Sequence, residues 1–205
     1  MRKAGAIFLL LLMGLPILLA AQEDGAEPEV EPDWDEFWTD LYVRGDQTFN
    51  ISLATVFPAV FLNNGQIIEH KIHPPVGGTG GLSYNYFFNS NVFLGGELSG
   101  NFLPTISENF LYIITFGLRG GYQFNIRRFE FPVFAAIGMS WQTYLDLGYY
   151  GLYMRGGAGG YFRATSDWSF GLVSSWIWLP QWTDEASKNV DGNVLDLTIS
   201  ARYHF

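Results

Sequence analysis

Along the last eleven residues apolar and polar positions alternate without a break: Leu195, Leu197, Ile199, Ala201, Tyr203 and Phe205 fall in one phase, and Asp196, Thr198, Ser200, Arg202 and His204 in the other. A period of two is the mark of a strand with one apolar and one polar face. The same alternation recurs upstream. Thr48 to Phe57 sets Phe49, Ile51, Leu53, Thr55 and Phe57 against Thr48, Asn50, Ser52, Ala54 and Val56, and Leu82, Tyr84 and Tyr86 alternate with Ser83 and Asn85. Val92 to Phe102 carries Glu97, Ser99 and Asn101 on one side and Leu94, Leu98 and Phe102 on the other. Leu111 to Asn125 is the clearest of the internal segments, with Tyr112, Ile114, Phe116, Leu118, Tyr122 and Phe124 opposite Thr115, Gly117, Arg119, Gly121, Gln123 and Asn125.

The next segment holds Phe131, Val133, Ala135, Ile137, Met139 and Trp141 in one phase, with Pro132 near its start, where a missing N–H does least harm. Tyr150 to Arg163 follows, placing Leu152, Met154, Ala158 and Phe162 opposite Tyr153, Arg155, Tyr161 and Arg163. Trp168, Phe170, Leu172, Trp176 and Trp178 complete the set of segments before the terminal one. The pattern therefore predicts eight antiparallel strands. The connections alternate between long (58 to 78 and 179 to 192 the longest) and tight, which is the asymmetry of a barrel with short turns on one rim and loops on the other.

Sidedness decides between two barrels. In a soluble lipocalin-like barrel the apolar face lines a ligand cavity and the polar face meets water. In a membrane barrel the apolar face meets lipid, the polar face lines the lumen, and closure leaves no backbone group unpaired in hydrocarbon. The composition favours the second: 15% charged residues, 18% aromatics and 24 Gly suit a thin wall better than a soluble core, in which charge is near a quarter. Aromatics gather near the predicted strand ends, at Tyr112, Trp141, Tyr150, Trp168, Trp178 and Tyr203, where membrane interfaces would lie. The chain has no Cys, which excludes disulfides and thiolate metal sites.

Arg2 and Lys3 precede an apolar run from Ala4 to Ala21 that gives way abruptly to Gln22-Glu-Asp, so residues 1–21 read as a signal peptide. Residues 22–40 carry nine acidic side chains and no basic one; their first half, with Pro28 and Pro32, reads as a linker. Trp34, Phe37, Trp38 and Leu41 are spaced i, i+3, i+4, i+7, and Asp33 with Glu36 three places on forms a capping box. The expectation is a short amphipathic helix whose Trp34, Phe37 and Trp38 pack on the periplasmic rim or plug the mouth. The barrel itself occupies 41–205 and is nearly neutral, which gives no surface for nucleic acid.

An eight-stranded lumen is only wide enough to be filled by side chains, and charge buried there must pair. The candidates are Glu97, Arg119, Arg155 and Asp196, all in the inward phase at mid-strand, with Glu97 and Arg119 on neighbouring strands as the expected pair. They could be a structural cluster or a gate. Arg127, Arg128, Arg163 and Arg202 fall near the rim shared with the termini and read as rim charges in water. His70 and His73 sit in the first long loop without a third ligand in view, so no metal or other cofactor is expected. His204 lies at a strand end with no Ser or Asp placed beside it by the sequence. Hydrolytic chemistry needs such a set, and no catalytic residue is assigned.

The terminal Ala-Arg-Tyr-His-Phe, with Tyr203 third from the end and Phe205 last, resembles the closing strand of bacterial outer-membrane barrels, which the assembly machinery reads as a signal. Phe93-Leu-Gly-Gly-Glu-Leu-Ser and Gly117-Leu-Arg-Gly-Gly-Tyr-Gln-Phe are similar to phrases of the OmpW and OmpA-barrel group. The resemblance covers Thr48 to Phe205. It implies an all-β, up-and-down transmembrane barrel in the cell outer membrane with both termini periplasmic. Lipid and the barrel-assembly machinery are the implied partners, and the implied activity is restricted passage of small solutes through a narrow channel or lateral path. The alternative is a barrel that acts through its loops on an extracellular ligand, or one that is purely structural.

Overall fold

In the computed structural model, which describes residues 42–205 apart from 64, 69–74, 106–108, 146 and 184–188, the alternating segments are antiparallel strands, each paired with its neighbours in the chain. Among the described residues they are β1 (Gln47–Asn63), β2 (Gln66–Ile68), β3 (Gly77–Phe87), β4 (Val92–Pro104), β5 (Phe110–Ile126), β6 (Phe129–Tyr144), β7 (Leu147–Arg163), β8 (Trp168–Gln181) and β9 (Val190–His204). β2 is the short return arm of a hairpin on the far end of β1, with Phe61 opposite Ile68. The other eight form the wall. β9 pairs with β1 from Thr48↔His204 to Leu62↔Asp191, so the sheet closes and no edge strand remains in the wall.

The faces fall as the alternation predicts. Leu53, Leu118, Leu172 and Ile199 are more than half exposed on the outside, and the rest of the Tyr112 to Phe124 set is exposed with them, whereas Asn50, Ser99, Thr115, Gln123 and Ser200 are buried within. An outer surface so uniformly apolar is far larger than any patch a soluble monomer shows, and it matches a belt facing acyl chains. Pro132 sits three residues into β6, opposite Gln123 of β5 and absent from the β7 ladder, so its missing N–H costs no bond there.

Two predicted loops are shorter than the alternation implies. β1 continues to Asn63 instead of ending at Phe57, and it accommodates Pro58 through a register shift against β9 between Pro58 and Val60. β8 continues to Gln181 and β9 begins at Val190, so the expected loop at 179–192 narrows to 182–189. A strand of 17 residues such as β1 rises roughly 55 Å along its own axis, or about 40 Å along a barrel axis after tilt, against an apolar band of about 25 Å. The surplus lies at the end away from the termini, called here the loop end, where β1, β5 and β7 stand beyond the membrane. Residues 1–41, with the predicted signal peptide, linker and aromatic helix, lie outside the described residues, as do His70 and His73.

Candidate functional site

Inward positions from all eight wall strands stack into layers along the barrel axis. At the loop end the layer is apolar: Val56, Leu103, Ile113, Ile177, Leu179 and Val194 form one buried cluster with Tyr153 and Ala136. Their phase is that of the polar lumen residues further down the same strands. Their chemistry differs because here apolar side chains meet one another across the barrel interior.

Below this layer lie the four predicted charges, and the structure brings all of them together. Asp196 is held by Ser175, whose backbone N–H and hydroxyl donate to Oδ1 at 3.1 and 2.8 Å, and its Oδ2 accepts from Arg155 Nη2 at 2.6 Å. Arg155 also reaches Glu97, with Nη1 3.3 Å from Oε1, and the Tyr153 hydroxyl donates to the same oxygen at 3.2 Å. Arg119 Nη1 lies 3.7 Å from Glu97 Oε2. The charges thus form a chain, Arg119–Glu97–Arg155–Asp196, that crosses the lumen from β5 through β4 and β7 to β9. The pair expected from neighbouring strands, Glu97 with Arg119, is present but is the looser contact, because Arg155 reaches across the barrel to bridge both carboxylates. Room for this comes from Gly117 and Gly138, which face each other across β5 and β6: a Cβ on either would stand 2.8 Å from the Tyr153 ring or hydroxyl.

An aromatic layer separates these charges from the terminal end. Phe93, Phe134, Tyr161 and Val173 are buried with Phe87 and Tyr42. The Arg119 guanidinium carbon sits 3.7 Å from the Phe134 ring centre, and that of Arg202 sits 3.9 Å from Tyr161 on the opposite side. Both are cation–π contacts in a desolvated setting, where such contacts are strongest.

At the terminal end the structure corrects the reading of Arg202 as a rim charge in water. Arg202 is 1% exposed and pairs with Glu130 at 2.7 Å, while its Nη1 and Nε also donate to Gln123 at 2.7 Å and Asn50 at 2.8 Å. Tyr42, from the chain just before β1, covers this cluster: it stacks on Phe87 at 4.0 Å and donates to Glu130 at 2.9 Å. Its burial pushes the Tyr42 hydroxyl above the usual tyrosine range. Arg163 lies 3.9 Å from Glu130, whereas Arg127 is exposed in the β5–β6 turn with a φ of 53°. Tyr42 thus occupies the mouth for which Trp34, Phe37 and Trp38 were candidates; those three lie outside the described residues.

His204 is also not alone. The register of β8 against β9 sets Ser169 opposite Arg202, and the Ser169 hydroxyl lies 2.7 Å from His204 Nε2 and 3.1 Å from Glu130 Oε1. Tyr42 stands 3.2 Å from the other ring nitrogen. The Ser169 hydroxyl is fully buried, and the carboxylate reaches the His chiefly through Tyr42 and Ser169, with its own Oε1 3.8 Å from Nε2. The group joins β6, β8, β9 and the pre-barrel segment into one hydrogen-bonded closure. Glu130, Ser169 and Tyr42 are the members that sequence reasoning missed. For Glu130 the signal was present: it alternates with Phe129 and Phe131 and so shares the inward phase of Pro132 and Phe134.

Between the aromatic layer and the charge chain remains a cavity of about 40 Å³ lined by Arg119, Arg155 and the hydroxyl and amide groups of Asn50, Ser83, Ser175 and Ser200.

A protein-family model matches residues 25–203. Two proteins of Treponema pallidum (strain Nichols), both described as uncharacterized, are similar in sequence. One is 30% identical over 129 residues, 63% of this chain and 59% of that protein, and the other 28% identical over 128 residues, 58% of this chain and 43% of that protein. The matched region spans less than two thirds of either relative. Among solved structures, Neisserial surface protein A superposes with a TM-score of 0.58 at 9% identity, over 79% of this chain and all of that one. The attachment invasion locus protein Ail of Yersinia pestis (TM-score 0.49, 14% identity, 80% of this chain, 100% of that one) and the outer membrane protein OprG of Pseudomonas aeruginosa (0.48, 12%, 80% and 97%) are also similar. The chain belongs to the family whose model matches residues 25–203, and its wall of eight strands closed by β1 on β9, with an apolar belt around it, has the fold of the small eight-stranded outer-membrane β-barrels.

Proposed function

We propose that this barrel does its work through the surface it presents at its loop end, outside the cell, with both termini in the periplasm and the lumen shut. The observation that carries the reading is closure at both ends: the apolar layer from Val56 to Val194 on one side and the Tyr42–Glu130–Arg202 cluster on the other, with the charge chain between them. The loop end, by contrast, is built to be touched. Ile67, Leu145, Tyr150 and Trp182 are each more than half exposed there. The Trp182 main chain is held by Tyr149, whose hydroxyl accepts from its backbone N–H at 2.7 Å and donates to its backbone carbonyl at 3.2 Å, and its ring meets the Trp178 ring edge-on with centroids 6.4 Å apart. Fixed aromatic side chains of this kind are the residues that anchor protein interfaces.

Two measurements test the reading. The wild-type protein refolded into planar bilayers is expected to give no steady current, and a steady single-channel conductance would overturn the closed lumen. Because the chain has no Cys of its own, Ile67→Cys and Arg127→Cys report the two ends separately. On intact cells a membrane-impermeant maleimide is expected to label the first and not the second.

A second reading, restricted lateral passage, has one observation in its favour. The β7–β8 ladder runs only from Arg163↔Ser169 to Met154↔Trp178, although β7 extends to Leu147 and β8 to Gln181. The two strands are therefore unpaired beyond Met154↔Trp178, next to the apolar layer. Uptake of an apolar dye into vesicles carrying the protein, faster than into empty ones, would favour it.

A further inference from the structure

We propose that the wall carries a seat for one alkyl chain of a membrane lipid, in a groove that crosses the outer faces of β3, β4, β5 and β6. The seat is independent of what the loop end binds and of whether the lumen conducts.

The groove follows from the strand register. Ser83, Glu97, Gly117 and Gly138 stand in one row across the four strands, all at inward positions, so only their backbone shows on the outside. One flank of this row is a ridge of Leu82, Leu98, Phe116 and Met139. The other is Tyr84, Leu118 and Ile137, with Gly96 in the place between Tyr84 and Leu118. Gly96 leaves that ridge breached: a Cβ there would meet only the Gly117 carbonyl, at 3.6 Å. The result is a groove of about 770 Å³ that reaches Phe49 of β1. Five strands in a row make it roughly 19 Å long, and ridges two residues apart along each strand make it about 7 Å wide. Those dimensions match one extended alkyl chain.

The lining offers an occupant no polar side chain. Glu97 and Ser83 turn inward and are buried, and the Tyr84 hydroxyl donates to Gln47 Oε1 at 2.7 Å. That hydrogen bond also fixes the Tyr84 ring, so the groove is shaped before anything enters it. An alkyl chain lying there touches side chains on two flanks and glycine backbone beneath. On the rest of the belt it would touch one face only, and dispersion attraction grows with the number of atoms met.

Position and size choose lipid over a protein partner. Gly96 lies four residues from the turn end of β4, and Leu118 and Ile137 eight from those of β5 and β6. After tilt this is roughly 10–20 Å above the terminal rim, inside an apolar band of about 25 Å. The groove is therefore continuous with the surface that already meets acyl chains. Its footprint of roughly 130 Å² is far below the roughly 800 Å² per partner of a stable protein contact, so it could not hold a second barrel.

The test uses the full chain refolded in detergent and given dipalmitoyl phosphatidylcholine, whose headgroup has no net charge and leaves the alkyl chains to decide binding. Native mass spectrometry counts the lipids retained as collision energy is raised. The wild type is expected to keep one lipid after the others have left. Gly96→Leu, which fills the breach, should weaken retention of that lipid about tenfold, the contact of one or two buried methylenes. Gly156→Leu, at an outward position on β7 with nothing within 4 Å, should behave as the wild type. A statistical ladder with no favoured first lipid, or equal retention in wild type and Gly96→Leu, would mean annular lipid only and overturn the proposal; so would an equal loss in both variants. If Gly96→Leu fails to refold, wild-type crystals grown with phosphatidylcholine brominated along its chains decide the matter. Anomalous peaks between the two ridges support the seat, and peaks spread around the belt, or none in the groove, refute it.

Discussion

Replacing Arg202 with Met tests the closure at the terminal end directly. Met retains most of the aliphatic volume, so the cavity term is small and the change is mainly electrostatic. What is lost is the 2.7 Å ion pair to Glu130, which is itself 0% exposed, together with donors to Gln123 and Asn50. Glu130 would keep the Tyr42 hydroxyl at 2.9 Å, the Ser169 hydroxyl at 3.1 Å and Arg163 at 3.9 Å. Removing one partner of a buried ion pair costs about 3–5 kcal/mol, because the other charge stays behind uncompensated. The residual hydrogen bonds to Glu130 draw the cost toward the lower figure; the two stranded amide oxygens draw it toward the upper. The assay is reversible urea unfolding of the barrel in lipid vesicles, followed by tryptophan fluorescence in both directions. Adding Glu130→Gln to Arg202→Met should recover part of the loss, since the buried charge is then gone, and the double-mutant cycle should show a coupling of at least about 1 kcal/mol. A single-variant cost below about 1 kcal/mol, or a cycle that is additive, would mean that Arg202 is the solvated rim charge its sequence position implied.

Five other substitutions test the wall and its mouths. Ile199→Arg, at mid-strand on the lipid face, should cost about 2–4 kcal/mol in the same unfolding assay, while Ile67→Arg, in the β1–β2 hairpin beyond the membrane, should be near neutral; equal costs would refute the assigned membrane position. Gly95→Ala should destabilise by about 1–3 kcal/mol because its Cβ would run into the Tyr84 carbonyl and the Asn85 backbone, whereas at Gly100 nothing lies within 4 Å and the same change should be neutral or mildly stabilising. Tyr42→Phe keeps the stack on Phe87 but removes the donor to Glu130, with an expected loss of about 1–1.5 kcal/mol and no change in the gel mobility of the folded form; no loss would place Tyr42 outside the closure.

The parts of the fold that were legible in the sequence are those where two environments alternate on a period of two. From Tyr112 to Phe124, or Leu195 to Phe205, lipid lies on one side and a polar lumen on the other, so chemistry and phase agree. Legibility ends where both faces become apolar. Val56, Leu179 and Val194 point into the barrel, yet nothing in their side chains separates a lumen plug from a lipid face, and the strands around Pro58 and Leu179 were accordingly read as loops. The central charges were found because mid-strand ions in the inward phase have few places to go. Their pairing was only half found, since sequence adjacency favours Glu97 with Arg119 while Arg155 gains more by reaching across the barrel to two carboxylates. Ser169 beside His204 follows from the β8–β9 register and could have been placed by counting back from the terminal strand; Tyr42 follows from no period, because the segment that carries it is not a strand.

These closures act in series, and that governs what any one substitution can do. For a solute to cross, the apolar layer must wet, the Arg119–Glu97–Arg155–Asp196 chain must break, and Tyr42 must leave Glu130 and Arg202. Each barrier is set by different physics. Breaking the charge chain strands ions in a low-dielectric interior, at several kcal/mol per uncompensated charge. The apolar layer resists water because it offers no polar partner. The terminal closure adds a buried ion pair roofed by an aromatic stack. Barriers in series are governed by the largest that remains, so losing Glu97 or Arg119 alone lowers stability while the lumen stays closed above and below. The energy invested in the interior therefore appears as rigidity of the wall. A rigid wall is what holds Trp182, Tyr150 and the β1–β2 hairpin in fixed positions beyond the membrane, where a partner could meet them already ordered.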